Sequence, residues 1–558
     1  MRTSDKSGQP VLKTGALLLL LAVFAVLWFG TLEHRKLFVT DEGRYAEIPR
    51  EMVASGDWLT PRLNDIKYFE KPALQYWATA AAFTLFGEHH WTARLWSALT
   101  GFFGVLVTFL AVRRLWGDTA GLFAACVLGS SLMWVMIGQA NTLDMGVSFF
   151  LSSAVFGFVL AQRDDVTPRQ NRNTMWLTWL ALALAVLSKG LIGLVLPFAT
   201  LLGYSLWQRD FAIWRRLHLA SGLALLLAVS APWFVAVSLV NPEFARFFFI
   251  HEHFERFLTK VHGRYQPLWY FLPVLLLGML PWLVALFAMA RRSFQRDPHS
   301  RFQPRRLLLL WCLVVFGFFS VSDSKLFSYI LPLFPALAAL IGITLAELGR
   351  RDARAMRWHA LPVIALAALC LMLTPWVGEI FSNPEVPPQL YANYIPWLLA
   401  AGGALLAGAL AAFGCAWFAR PRASVLSLAF GGLLFTQLFM LGLDNLAPSK
   451  SAYQIVQRIR DQVQPGVPFF SVNTYDQTLP FYLKRTVTMV AAKDELGFGI
   501  EHEPHKFIPD LAGFEQAWRA APQAWALMDP ATYRQLLATG LPMRLAAQDT
   551  RRIIVSKP

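Results

Sequence analysis

Window after window of about twenty residues in this chain carries no charged side chain, which is the length needed to cross a hydrocarbon core of about 30 Å. Charge makes up only 15% of the 558 residues, 56% are hydrophobic, and the mean hydropathy is +0.44. A soluble domain holds closer to a quarter charged residues. The sequence therefore predicts a polytopic α-helical membrane protein. The first apolar window, residues 14–32, is too long for a cleavable leader and lacks a small-residue cleavage site, so it is expected to be retained.

The net charge of +15 raises the question of nucleic acid. The basic residues do not form one face, however. They fall in seven short clusters between apolar windows, the pattern of the positive-inside rule: Arg2/Lys6/Lys13, Arg113/Arg114, Arg163/Arg169/Arg172, Arg209/Arg215/Arg216, Arg291 through Arg306, Arg350/Arg351/Arg354/Arg357 and Arg420/Arg422. If each cluster is cytoplasmic, six excursions give twelve spans. A final crossing near 423–443 makes thirteen and leaves the C-terminus outside. The same parity makes residues 72–86 a helix in the outer interface, because a crossing there would invert every later cluster. The four cysteines all sit inside apolar windows and have neither metal-site nor disulfide-framework spacing.

The expected organisation is a transmembrane domain over 1–443, with a first outer loop at 34–90, followed by a soluble α/β domain over 444–558. In the latter, apolar runs shorten to strand length at 467–472, 487–491, 524–528 and 553–555. Helical patterns lie at 452–462 and 530–538.

Ionisable groups at membrane depth are costly, about 2.5–3.5 kcal/mol on insertion scales, so they are usually functional or paired. Several stand in outer loops beside span ends. Asp41 follows the first span by about one turn, and either caps a helix over 42–54 or acts at a site. Glu47 and Glu51 read as solvated-face charges pairing with Arg44 and Arg50. Glu70 and Lys71 form an interfacial pair. Asp144, in the short second outer loop, has the same choice between cap and site. Lys189, in the Ser188-Lys189-Gly190 break, is either part of a hairpin turn or an anion-binding cation without an acidic neighbour in sequence. His251 shares a helical face with Glu255, and with Glu70 it could hold zinc. Arg256 and Lys260 suit phosphate. Lys325 and Tyr329 share a face at the start of a later span, either as interfacial anchors or as site residues. Arg44, Lys71, Lys189, Arg256 and Lys325 thus make an outer-face set of cations suited to a lipid-linked phosphate, with Asp41 and Asp144 suited to a sugar or its amine.

These residues lie in stretches that resemble the membrane-embedded C-type glycosyltransferases, the group shared with protein O-mannosyltransferases, and within it the bacterial lipid A aminoarabinose transferases. The most specific stretches are D-E-G-R-Y-A-E-I-P-R-E-M-V-A-S-G-D-W (41–58) and K-Y-F-E-K-P (67–72). Supporting ones are Leu143-Asp144, S-K-G (188–190), E-H-F-E-R-F (252–257), the run at 267–282, S-K-L-F-S-Y-I-L-P (324–332) and L-P-F-Y-L-K-R (479–485). Gly43 departs from the family, where a hydroxyl residue is commoner, and a loosened helix start is expected there.

The resemblance implies an inverting transfer of 4-amino-4-deoxy-L-arabinose from undecaprenyl phosphate to a lipid A phosphate, outside a bacterial inner membrane, with resistance to polymyxin and cationic peptides as its consequence. It implies phosphate binding by Lys71, Arg256 and Tyr329, aided by Arg44, Lys189 and Lys325. It also implies catalytic roles for Asp41 and Asp144, and sugar contacts from Tyr45, Tyr68 and Glu70. No cofactor is required; zinc at Glu70 and His251 is the one metal the residues suit. The partners implied are the donor, lipid A and membrane lipids, with no nucleic acid, and the chain is expected to be a monomer. The alternative is a mannosyltransferase-like enzyme of the same fold acting on protein or glycan. A transporter would place its ionisable groups in mid-span rather than at outer ends.

Overall fold

The computed structural model describes residues 13–255, 266–298 and 300–558. A helix or bent helix pair stands at each of the thirteen expected crossings. They are α1 (Thr14–Phe29), followed after the first loop by α4 (His90–Trp116), the pair α5 (Asp118–Ser130) and α6 (Leu132–Gly138), α7 (Leu143–Ala161), α8 (Pro168–Lys189), α9 (Ile192–Gln208) and α10 (Leu219–Val240). The π-helical α11 (Arg246–Glu255) leads to the pair α12 (Phe271–Gly278) and α13 (Leu283–Ser293), then α14 (Pro304–Val321), α15 (Phe334–Arg351), α16 (Arg357–Leu373) with the short α17 (Val377–Phe381), α18 (Pro388–Trp417) and α19 (Pro421–Gly442). Among the described residues, eight helices are long and apolar enough to cross a membrane, or up to ten if each bent pair is one span. The pairs bend by 64° between α5 and α6 and by 109° between α12 and α13.

The first loop holds α2 (Asp41–Ser55), a two-stranded hairpin of β1 (Arg62–Leu63) and β2 (Ile66–Lys67), and α3 (Leu74–Phe86). At about 1.5 Å per residue, the 13 residues of α3 fall well short of a bilayer core. Helix α2 ends where Gly56 takes φ +75°, the left-handed conformation that closes a helix cheaply only with glycine.

The helical path begun in α19 runs on to Lys450, past the boundary expected at 443. A six-stranded sheet follows, built from β3 (Phe469–Val472), β4 (Thr488–Val490), β5 (Phe507–Ile508), β6 (Trp525–Met528), β7 (Arg544–Gln548) and β8 (Ile553–Ser556) in the order β5-β4-β3-β6-β8-β7. The β5, β4, β3 and β6 strands are parallel neighbours, while β8 and β7 add antiparallel. The four expected strands are present. The two that the sequence hid are edge strands, β5 with two residues and β7 largely exposed.

This domain does not pack on its own core alone. Leu37, Ala46, Phe83 and Ala93 share one apolar cluster with Ile455, Phe481, Leu527 and Ile554, and Tyr45, Ile48 and Tyr76 share another with Tyr475, Met489 and Ile500. Gly43 belongs to the same contact. A Cβ there would stand 2.6 Å from the Gln477 backbone carbon and 2.7 Å from the Thr478 side chain. The start of α2 is intact, so glycine serves a close approach by the C-terminal domain instead of loosening the helix.

Candidate active site

Asp41 is the first residue of α2. Thr40 precedes it at the cap position, and no side-chain cap bond forms there. The Asp41 side chain is 40% exposed, with the Arg44 guanidinium 3.5 Å away. The next residue, Glu42, is buried and collects donors from three segments. Arg35 gives it bonds of 2.6 and 2.8 Å, Arg94 gives 2.8 and 3.2 Å, and the backbone amides of Phe38 and Asn141 give 3.0 and 3.2 Å. Burial works to raise its pKa, but the two guanidiniums prevail and hold the carboxyl well below the usual carboxylate range. Arg94, from α4, also donates to the carbonyls of Leu32, Arg35 and Lys36, and Arg35 donates to that of Gln139. This node joins the loop bearing Asp41 to the loop that leads into Asp144.

Asp144 is the second residue of α7 and is not its cap, which is Thr142. One carboxylate oxygen is ion-paired with Lys189 at the end of α8, and the other accepts from the Ser328 hydroxyl at 2.5 Å. Lys189 therefore has the acidic partner its sequence neighbourhood lacks. Its ammonium stands 4.5 Å from the ring centroid of Tyr329. Gly190, at φ +79°, closes α8 as the turn reading expected. Three motifs far apart in the chain thus meet around one carboxylate.

Lys71 donates to Glu252 of α11 at 3.1 Å and to the Glu70 carbonyl at 2.7 Å; its ammonium is 3.9 Å from the Glu70 carboxylate. His251 stacks on Phe247 with centroids 5.2 Å apart. Among the described residues no three His, Cys, Asp or Glu side chains gather as metal ligands. Arg256 and Lys260 lie outside the described residues. Lys325 is buried and donates to the carbonyls of Gln266 and Ser322 at 2.8 and 2.5 Å, which commits it to the backbone.

The reading of Glu47 and Glu51 as solvated charges is corrected: both are buried, as are Arg44 and Arg50. Glu47 pairs with Arg50 at 2.5 Å, and Glu51 accepts from the backbone amides of Asn64 and Asp65 at 2.5 and 2.7 Å. The α2 surface is covered by the hairpin and the C-terminal domain, so no solvated face remains.

That domain also contributes a residue the sequence did not single out. Glu495 is ion-paired with Arg44 and accepts from Gln477 at 3.0 Å. Burial, reinforced by Glu70, outweighs Arg44 and pushes the Glu495 carboxyl up to about 7. Arg44 lies over the rings of Tyr45 and Tyr68, 5.5 and 5.8 Å from their centroids, and Tyr45 faces Tyr76 at 6.1 Å. Burial raises all three phenols well above their ordinary value. Lys493 and Asp494 beside Glu495 stay exposed, and only Glu495 turns in toward the first loop, its side chain 11% exposed.

Two family descriptions match the chain: "Dolichyl-phosphate-mannose-protein mannosyltransferase" over residues 14–245 and "Aminoarabinose transferase C-terminal domain" over residues 455–557. The undecaprenyl phosphate-alpha-4-amino-4-deoxy-L-arabinose arabinosyl transferase of Pseudomonas paraeruginosa is 32% identical over 515 residues, 90% of each chain. The crystal structure of ArnT from Cupriavidus metallidurans bound to undecaprenyl phosphate superposes with a TM-score of 0.92 at 38% identity, covering 98% of both chains. Its apo form gives 0.90 at 37%, covering 97% of this chain and 98% of the other. Similar in sequence and in fold over nearly its whole length, the chain belongs to the aminoarabinose arabinosyl transferases, multi-pass membrane members of the C-type glycosyltransferase family.

Proposed function

We propose that this protein moves 4-amino-4-deoxy-L-arabinose from undecaprenyl phosphate to a phosphate of lipid A at the periplasmic edge of a bacterial inner membrane. Masking lipid A anionic charge with an amino sugar would weaken binding of polymyxin and other cationic peptides. The observation that carries most weight is the meeting of Asp144, Lys189 and Tyr329 from three separate segments, with the loop of Asp41 tied through Glu42 to the loop that leads into Asp144, in a chain whose full length follows a structure described as bound to undecaprenyl phosphate. All thirteen helical segments crossing, with the site and C-terminal domain periplasmic, is the topology that fits this reading.

In this scheme a lipid A phosphate oxygen attacks the anomeric carbon as the bond to the undecaprenyl phosphate oxygen breaks. The leaving phosphate keeps the electron pair, and the configuration inverts. The attacking oxygen is already anionic near neutral pH, so no proton need be removed. Lys71 and Arg256 hold the leaving phosphate as its charge grows, an electrostatic task; Tyr329, braced by Lys189, lines the same side. Asp41, the most exposed of the candidate acids, faces the positive charge that develops at the sugar. Asp144 fixes Lys189 and Ser328. Every step is carried by side chains and none is routed through a metal.

The test is reconstitution of the purified protein with the aminoarabinosyl donor and lipid A, read by mass spectrometry of the lipid. Transfer to lipid A is the expected result. Transfer to protein, or none to lipid A, would overturn the assignment.

A further inference from the structure

We propose that an anionic glycerophospholipid docks in the membrane half remote from the candidate active site, with an acyl chain in a cavity among α7, α8, α9, α10 and α14 and its phosphate on Arg209 and Arg215. The inference is independent of the proposed transfer and needs only that these helices lie in a membrane.

The cavity holds about 530 Å³. Its α8 wall runs from Met175 to Leu182. At about 1.5 Å per residue, that stretch lies about 10–21 Å along the helix from Lys189, so the cavity is separate from the Asp144 pair. Its walls offer a ligand nothing polar. The Thr178 and Thr200 hydroxyls donate to carbonyls of their own helices, Thr174 and Leu196, at 3.0 and 2.9 Å. The indoles of Trp179, Trp214 and Trp311 donate to the Leu217 carbonyl, the Ser205 hydroxyl and the Pro332 carbonyl at 2.8, 2.9 and 3.0 Å. With these polar atoms satisfied, the space suits a hydrocarbon chain, and walls left bare would forfeit their dispersion contacts. The cavity is not sealed. Val195 and Phe198 of α9 and Leu219 and Leu223 of α10 line it and are exposed, so it opens between these two helices toward the bilayer.

Charge marks the headgroup end. The connection from α9 to α10 lends Trp214 and Leu217 to the cavity wall. The same connection carries Arg209 and Arg215, both exposed and neither in an ion pair among the described residues. The nearby acids are engaged elsewhere: Asp210 accepts from Arg301 at 2.8 and 2.9 Å, and Asp164 from the Ser300 hydroxyl and the Arg301 amide at 2.8 and 3.1 Å. Arg216 turns inward to the carbonyls of Ala161, Gln162 and Arg163. Two uncommitted arginines thus stand at the end of an apolar mouth, an arrangement that holds lipid phosphates between membrane helices. Trp207 and Trp214, on either side of Arg209, belong at headgroup depth.

The test is native mass spectrometry of the delipidated protein, titrated with phosphatidylglycerol and with phosphatidylcholine of the same chains. Phosphatidylglycerol should bind about tenfold more tightly, since each arginine at a membrane surface favours an anionic headgroup. Arg209→Asn/Arg215→Gln should remove that preference and leave phosphatidylcholine binding unchanged. Val195→Trp, which plugs the exposed mouth, should weaken the binding of both lipids. No preference in the wild type, a preference kept by the double arginine variant, or full binding of both lipids to Val195→Trp would each overturn the inference. Undecaprenyl phosphate is the third probe. It should bind wild type and Val195→Trp equally; a loss matching that of phosphatidylglycerol would give the cavity to the donor's chain and likewise overturn the inference. Should Val195→Trp fail to fold, Leu223→Trp blocks the mouth from the α10 side with the same expected outcomes.

Discussion

The backbone amide of Asn141 donates to the Glu42 carboxylate across 3.2 Å, although 99 residues separate them. Through this bond the loop carrying Asp41 and the loop leading to Asp144 are held to one anchor, whose single carboxylate is clamped between Arg35 and Arg94.

Glu42→Gln should therefore damage both loops at once. It leaves two buried guanidiniums without their carboxylate, and removing one partner of such a pair costs about 3–5 kcal/mol. Thermal unfolding in detergent should show a large drop. Any folded fraction should bind undecaprenyl phosphate yet transfer sugar poorly, read as a lower kcat at near-normal donor KM.

Asp41→Asn removes a half-exposed charge that caps no helix and stands 3.5 Å from Arg44, which keeps its pair with Glu495. Unfolding temperature should stay close to wild type while kcat falls by about 100-fold or more, the scale of losing a preorganised electrostatic partner. Normal activity in Asp41→Asn would limit the residue to pairing with Arg44.

Asp144→Asn breaks the pair with Lys189 at the mouth of α7. Both stability and activity should fall, and Lys189→Met should reproduce the loss. The double variant should lose less stability than the two singles added together, because residues in direct contact couple. Additive losses, measured by the same unfolding assay, would mean that the pair contributes little.

The raised pKa of Glu495 gives stability a pH dependence of known sign. A carboxyl whose folded value is about 7, against an ordinary 4.5, binds its proton more tightly when folded. Below 4.5 it adds no penalty. Between 4.5 and 7 wild-type stability should decline relative to Glu495→Gln, and above 7 the difference should level off. Melting curves of both proteins at pH 5 and pH 8 check this.

Gly43→Ser places atoms where the Gln477 and Thr478 backbone and side chain already stand. Overpacking of this kind costs about 1–3 kcal/mol, and limited proteolysis should show the C-terminal domain loosened from the first loop.

Much of this arrangement is readable from the chain. Charge parity assigned residues 72–86 to a helix in the outer interface, and the helix found there, Leu74–Phe86, is 13 residues long, short for a crossing. Buried strands β3, β4 and β6 announce themselves as apolar runs because both of their faces are covered. Edge strands β5 and β7 lack that signature. The site was partly legible: Asp41, Lys71, Asp144, Lys189 and Tyr329 stand out as polar groups at span ends. What sequence hides is which charge meets which. Lys189 gained its acid only when α7 packed on α8, and Glu47 became buried only when a domain more than 400 residues later closed over α2. Arg94 could have been found, since an arginine just inside an apolar span calls for a partner.

The interdigitation of the first loop with the terminal sheet bears on how these proteins diversify. Leu37, Ala46 and Phe83 complete apolar clusters begun by Ile455, Phe481 and Leu527. Grafting the terminal unit from one relative onto the membrane portion of another would mismatch those surfaces unless residues of the 34–90 segment travel with it. Exchange of the terminal unit by recombination would then require two separate stretches of the gene to move together.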